Sequence, residues 1–184
     1  AGVIGLLEHA KDVFKHKTVF ITGAAGDIGA AIVERFAALG ADLRLSDHPD
    51  LKERLNEMAE ALEDKYASHV AIHLIDLRSV DEIRTNLSSI EQPIDILVNC
   101  AGLNMFLPAL KVEEAVWDQI VDVNLKGLFF VSQFVAATII KNLTVCKIVN
   151  LGSQHGVVAN GLRAPYCISK AGVIHLTKVL ALEW

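Results

Sequence analysis

Short apolar runs alternate along the chain with segments whose apolar positions recur every three or four residues. The runs predict strands over Thr18–Thr22, Asp42–Ser46, Val70–Ile75, Ile94–Val98 and Lys147–Leu151. A stretch such as Ile94-Asp95-Ile96-Leu97-Val98 suits a strand of a parallel sheet buried on both faces. Helical spacing fills the gaps. Ile28, Ala31, Ile32, Phe36 and Leu39 share one apolar face, with Gly40 as a stop, and Leu51, Leu55, Met58, Ala59 and Leu62 repeat the pattern. Ser79 with Glu82 forms a capping-box pattern ahead of Ile83, Leu87 and Ile90. Two longer helices are predicted, one from Val112 to Lys141 with a break near Asn124, the other from Pro165 to the end. Repeated strand–helix alternation with right-handed crossovers gives an α/β fold, a Rossmann-type doubly wound parallel sheet with helices on both faces.

With 184 residues and 52% hydrophobic content, the chain reads as one domain spanning residues 1–184 with ample material for a core. A net charge of −5 and the lack of any basic run exclude a nucleic-acid footprint. Cys100, Cys146 and Cys167 are far apart, so they read as thiols of a reducing cytoplasm, with no disulfide framework and no metal site. The apolar stretch Leu128–Ile140 is too short to span a bilayer, and no membrane role is expected. Gly2–Leu7 is apolar but lacks the flanks of a signal peptide. The missing initiator Met points to a processed or incomplete start.

Thr22-Gly23-Ala24-Ala25-Gly26-Asp27-Ile28-Gly29 joins the first strand to the first helix. Glycines here allow a tight turn and close backbone approach to a pyrophosphate seated on the helix N-terminus. A purely structural turn is the competing reading. Asp47 closes the second strand eighteen residues after Gly29, near the distance at which a carboxylate accepts the ribose hydroxyls of NAD. That carboxylate repels a 2′-phosphate, and Gly26 offers no basic side chain, so NAD is favoured over NADP. The alternative is that Asp47 caps the helix following Pro49.

In order and spacing, these motifs resemble the short-chain dehydrogenase/reductase (SDR) family from Thr18 to Trp184. Besides the glycine turn with Gly23, Asp27, Ile28 and Gly29, the resemblance implies that Asp76, with Leu77 beside it, contacts the adenine. Asn99-Cys100-Ala101-Gly102 is similar to the family's Asn-Asn-Ala-Gly motif, which places Asn99, Ala101 and Gly102 at the cofactor. Asn124, Ser153, and Tyr166-Cys167-Ile168-Ser169-Lys170 match the family's catalytic set. Tyr166 and Lys170 lie four apart on one helix face, and a neighbouring ammonium lowers a phenol pKa whose reference is about 10. The resemblance implies Tyr166 as general acid/base, Ser153 as the hydrogen-bond donor to the substrate oxygen, Lys170 on the nicotinamide ribose, and Asn124 positioning a water.

Two departures stand out. Asp27 occupies the middle glycine position of the family turn, where it would face the pyrophosphate or turn outward. The chain also stops inside an apolar helical run, which suggests a C-terminally incomplete chain lacking the last strands and the substrate loop. Asn104, His155 and Arg163 fall where family members contact substrate and resemble the set of 3-hydroxybutyrate dehydrogenases, implying a small hydroxy acid or sugar acid. The expected function is hydride transfer between NAD(H) and a secondary alcohol or ketone. The alternatives are a non-catalytic NAD-binding or scaffold protein and an NADP-dependent 3-oxoacyl or sugar reductase. The resemblance further implies a homodimer or homotetramer assembled through the long helices.

Overall fold

A computed structural model describes residues 13–184, and the apolar Gly2–Leu7 segment lies outside them. Five strands form one parallel sheet: β1 Thr18–Thr22, β2 Asp42–Asp47, β3 Val70–Leu74, β4 Ile96–Asn99 and β5 Lys147–Asn150. Their order is β3-β2-β1-β4-β5, so the chain reverses direction of winding between β1 and β4. This is the topological switch at which α/β sheets open a crevice for ligands. β4 starts two residues later than the expected Ile94. The Asp95 carboxylate accepts the Thr18 N–H at 3.0 Å and the Lys17 ammonium at 2.8 Å, so its side chain marks the edge of the ladder.

The helices are α1 Asp27–Ala38, α2 Lys52–Tyr66, α3 Val80–Ser88, α4 Glu114–Val121, α5 Leu128–Lys141 and α6 Ala164–Glu183. Alternate strand residues feed two cores. Val19, Ile21, Leu43, Leu45 and Val98 pack with Val33 and Ala37 of α1 and Leu55 and Leu62 of α2. Phe20, Leu97 and Ile75 pack on the opposite face with Ile83 of α3 and Val131, Val135 and Ile139 of α5. The period-2 alternation of the strands therefore divides the apolar residues between two helical layers.

Three local expectations are corrected. The buried face of α1 is Gly29, Val33 and Ala37, whereas Ile28 is 64% exposed and Ala31 lies outside. The helix sits so close to the preceding turn that small residues must face inward: a Cβ on Gly29 would lie 2.0 Å from the Gly23 carbonyl oxygen. The capping box at α3 is half formed. Ser79 Oγ accepts the Glu82 N–H at 3.2 Å, but the Glu82 carboxylate accepts the Asp76 N–H instead of returning to Ser79, and Ile90 falls beyond the helix end. No break occurs near Asn124; residues Asp122–Gly127 widen into a π-helical turn joining α4 to α5. The resulting stretch Glu114–Lys141 is long and apolar enough, by length and composition, to cross a membrane, although Leu128–Ile140 alone falls short. In the fold Val131, Val135 and Ile139 of this stretch enter the second core.

Candidate active site

The glycine turn leaves β1 through Gly23, whose φ of +68° is a left-handed conformation open to glycine at little cost. A Cβ there would also come within 2.6 Å of the Ala101 backbone. The turn is pinned to the ends of its neighbouring strands. Ala24 N–H donates to the Ser46 carbonyl at 3.1 Å, Ala25 N–H donates to an Asp47 carboxylate oxygen at 2.9 Å, and Thr22 Oγ1 accepts the N–H groups of Cys100 and Ala101. Asp47 does not cap the following turn. Its second oxygen accepts the His48 N–H at 2.8 Å, and His48 Nδ1 caps the Pro49–Leu51 turn.

A cleft of about 650 Å³ opens above this turn. Gly23, Asp27, Ile28 and Gly29 line one wall, Asp47, Asp76 and Leu77 another, and Ala101, Gly102 and Leu103 the far end. Asn99 stands behind it, 2% exposed, donating from Nδ2 to Ser132 Oγ at 2.9 Å and to Asn150 Oδ1 at 2.8 Å. Asn150 in turn donates to Thr177 Oγ1, so a polar chain ties α5, β4, β5 and α6 together. Sequence reading missed Ser132, Asn150 and Thr177; a polar residue closing an otherwise apolar strand, as Asn150 does, is the signal that finds them. Asp76 is held by Arg78, with its side-chain hydrogen bonds at 2.6 to 2.9 Å keeping the Asp76 carboxyl below the usual range. Arg78 also comes within 3.5 Å of His48 Nε2.

Beyond the Gly102 end of the cleft, the residues matched to the catalytic set converge. A Cβ on Gly102 would stand 3.4 Å from both Lys170 Nζ and Asn124 Oδ1. Lys170, 4% exposed, donates to the Leu151 carbonyl at 2.8 Å, and burial pushes its ammonium pKa down. Its Nζ lies 6.0 Å from the Tyr166 ring centroid. Ser153 Oγ accepts the His155 N–H at 3.1 Å, and the His155 ring meets Tyr166 edge to face at 6.5 Å, so Ser153 connects to Tyr166 through His155. Asn124 is fully buried. Its Oδ1 accepts the Leu103 N–H at 2.6 Å, and its Nδ2 donates to the Leu103 carbonyl at 2.9 Å and to Ser169 Oγ at 3.0 Å. The side chain thus fixes the loop after β4 to the π turn. Such turns are frequent at functional sites.

The three residues expected at substrate behave differently. Asn104 is exposed. His155 keeps a buried Nδ1 with no hydrogen-bond partner, and Nε2 lies 3.2 Å from Asn160 Nδ2. Arg163 stacks its guanidinium on Phe106 at 3.9 Å, with a buried, unpartnered Nε.

The sequence pattern of the short chain dehydrogenase family matches residues 17–184. The NAD-dependent glycerol dehydrogenase of Listeria innocua is 32% identical over 168 residues, which cover 91% of this chain and 65% of that protein. A solved NAD⁺-bound xylitol dehydrogenase superposes with a TM-score of 0.86 at 27% identity, over 93% of this chain and 66% of the other. A candidate NAD(P) dependent gluconate 5-dehydrogenase of Beutenbergia cavernae, solved with low-occupancy NADP, gives 0.87 at 26%, over 95% and 69%. The chain therefore spans about two thirds of the length of the proteins it resembles. With the glycine turn, the switch-point cleft and the Tyr166–Lys170 helix in this arrangement, the chain belongs to the short-chain dehydrogenase family.

Proposed function

We propose that this protein interconverts a secondary alcohol and a ketone with NAD(H), and that its substrate is a small hydroxy acid or sugar acid. The observation that carries the reading is the convergence of Lys170 and Asn124 on Gly102, with Tyr166 and Ser153 linked through His155 at the same end of the cleft. The cleft fits a dinucleotide. Gly23 and Gly29 leave no room for side chains between the turn and its surroundings, and the start of α1, capped by no side chain, suits a pyrophosphate. Asp47, Asp76 and Leu77 would take the adenosine half, and Ala101 and Gly102, with Lys170 next to Gly102, the nicotinamide half. Bound there, the cofactor supplies or accepts the hydride.

The chain's own residues then handle the proton. Tyr166 is the general acid/base at the substrate oxygen, and Lys170, a cation held in a desolvated position, favours its phenolate. Ser153 hydrogen-bonds the same oxygen as charge develops. Asn124 holds the loop and π turn that frame the Lys170 end.

Cleft electrostatics favour NAD. Asp27, Asp47, Asp50 and Asp76 line it, against only Arg78 and His48, so a 2′-phosphate enters a field already negative. Arg78 and His48, together with the NADP in the Beutenbergia chain, are what favours the NADP-dependent reductase reading. For substrate, His155 meets Tyr166 edge to face with its Nδ1 unpartnered, Arg163 keeps an unpartnered Nε, and a stacked guanidinium still presents N–H edges to a carboxylate. Exposed Ile140 on α5, and Ile168 and Leu182 on α6, support assembly into a homodimer or homotetramer through the long helices.

The test is to mix protein with NAD or NADP and a panel of neutral and acidic secondary alcohols and follow reduced cofactor by absorbance. NADH formation, strongest with hydroxy acids, is expected. NAD binding without turnover of any alcohol leaves the scaffold reading in its place. Arg163→Ala should raise KM for the acidic substrates alone, and an equal rise for neutral ones removes the hydroxy-acid assignment.

A further inference from the structure

Asp27 places a carboxylate in the first turn of α1, on the wall of the cleft. A helix N-terminus favours one anion through its dipole and free N–H groups. Under the proposed function, a pyrophosphate competes for that position, and two anions there repel one another. The Asp27 side chain is fully exposed, and its ion-pair partner among the described residues is Arg54, with Nη2 3.6 Å from Oδ1. Arg54 belongs to the first turn of α2. It reaches across because the hydrogen bonds from Ala24 to Ser46 and from Ala25 to Asp47 lock the glycine turn beside the end of β2, where the chain leads into α2.

We infer that Arg54 is a cofactor-affinity residue: by pairing with Asp27 it neutralises the extra carboxylate at the α1 N-terminus, and so preserves a site for the pyrophosphate. Arg54 lies outside the cleft lining, in the groove between α1 and α2, and thus acts through Asp27 and without touching the cofactor. The need is real because the lining is already rich in carboxylates. The effect is modest, since an exposed pair is screened by water and salt. This inference rests on the dinucleotide reading of the cleft.

The test is a double-mutant cycle in the full-length protein, with NAD and ADP dissociation constants read by calorimetry at low and high salt and adenosine as the phosphate-free control. Arg54→Ala should weaken NAD and ADP about 3- to 5-fold at low salt, the size expected of an exposed pair. It should leave adenosine unchanged, and the loss should fade at high salt. Arg54→Lys should restore the affinity. In an Asp27→Gly background, which itself should bind NAD more tightly, Arg54→Ala should change nothing. An equal loss in both backgrounds, an equal loss for adenosine, or no loss at all overturns the role given to Arg54. Failure of the unaltered protein to bind NAD would instead remove the dinucleotide reading on which it stands.

Discussion

Lys170 donates its ammonium to the Leu151 carbonyl across 2.8 Å, fixing the helix that carries Tyr166 to the chain leaving β5. The ammonium is buried, and that burial lowers the Lys170 pKa from its ordinary 10.5. A cation in such a place costs stability and is retained for what it does. Lys170→Met should therefore abolish turnover, while relief of the buried charge offsets the Leu151 carbonyl it leaves unpaired, so that stability in urea denaturation changes by no more than about 1 kcal/mol in either direction. The pH dependence has a definite sign. Between the lowered pKa and 10.5 the unfolded chain holds a proton that the folded chain has lost, so wild-type stability at this position rises with pH through that window. The Met variant should lack that rise; a variant much less stable than the wild type counts against the burial cost assigned to Lys170.

Tyr166→Phe keeps the ring and its edge contact with His155 but removes the phenol. Turnover should fall by about 10²- to 10⁴-fold, the range for losing a general acid/base, with the NAD dissociation constant nearly unchanged. Steady-state rates beside a direct binding measurement check it, and normal kcat rejects the assigned role.

Removing the Asn124 amide strands the Leu103 N–H and carbonyl and the Ser169 hydroxyl, all bonded to it in a fully buried position. Asn124→Ala should cost about 2–4 kcal/mol of stability, the sum of a lost buried network and a small cavity. Chemical denaturation measures this, and a loss below about 1 kcal/mol would show that the loop after β4 is held by something else.

His73 is half-buried beside Phe20, 5.5 Å between rings, and lies 3.4 Å from Arg44 Nη1. Burial first, then the Arg44 charge, lowers its pKa from 6.5. The folded chain thus keeps His73 neutral where the unfolded chain takes up a proton, so stability falls as pH drops below 6.5, by at most about 1.4 kcal/mol for each pH unit. His73→Phe should flatten that acid limb, as judged by unfolding midpoints from neutral to mildly acidic pH. An unchanged acid limb assigns the loss to other groups.

The strands were legible because Val19, Ile21, Leu43, Leu45 and Val98 sit in short β-rich apolar runs, and a parallel sheet buried on both faces needs such runs. Tyr166 and Lys170 were legible through the resemblance to the family's motif, and their spacing of four places both on one helix face, where the ammonium lies 6.0 Å from the ring centroid. The buried side of α1 was not. Periodicity marks Ile28 and Ile32 as readily as Val33, whereas the tight approach of Gly29 to Gly23 turns Ile28 outward. The widened turn at Asn124 likewise reads as a break in the sequence, since Asn124 and Gly127 are weak helix formers and nothing local says whether the helix ends there or only widens.

By itself, the amino-acid sequence determined the elements, their order and the chemical types at the candidate site, because propensity, period and motif spacing are local properties. Only the tertiary structure decided that Asp47 anchors the glycine turn through Ala25, that Asp76 is claimed by Arg78, that Arg163 lies on Phe106 and that Arg54 answers Asp27. Asp76 and Arg78 lie two residues apart in one loop, but each of the other pairs joins segments distant in sequence. Which distant partners meet is set by strand order and by how closely the helices pack, quantities that no local stretch of sequence encodes.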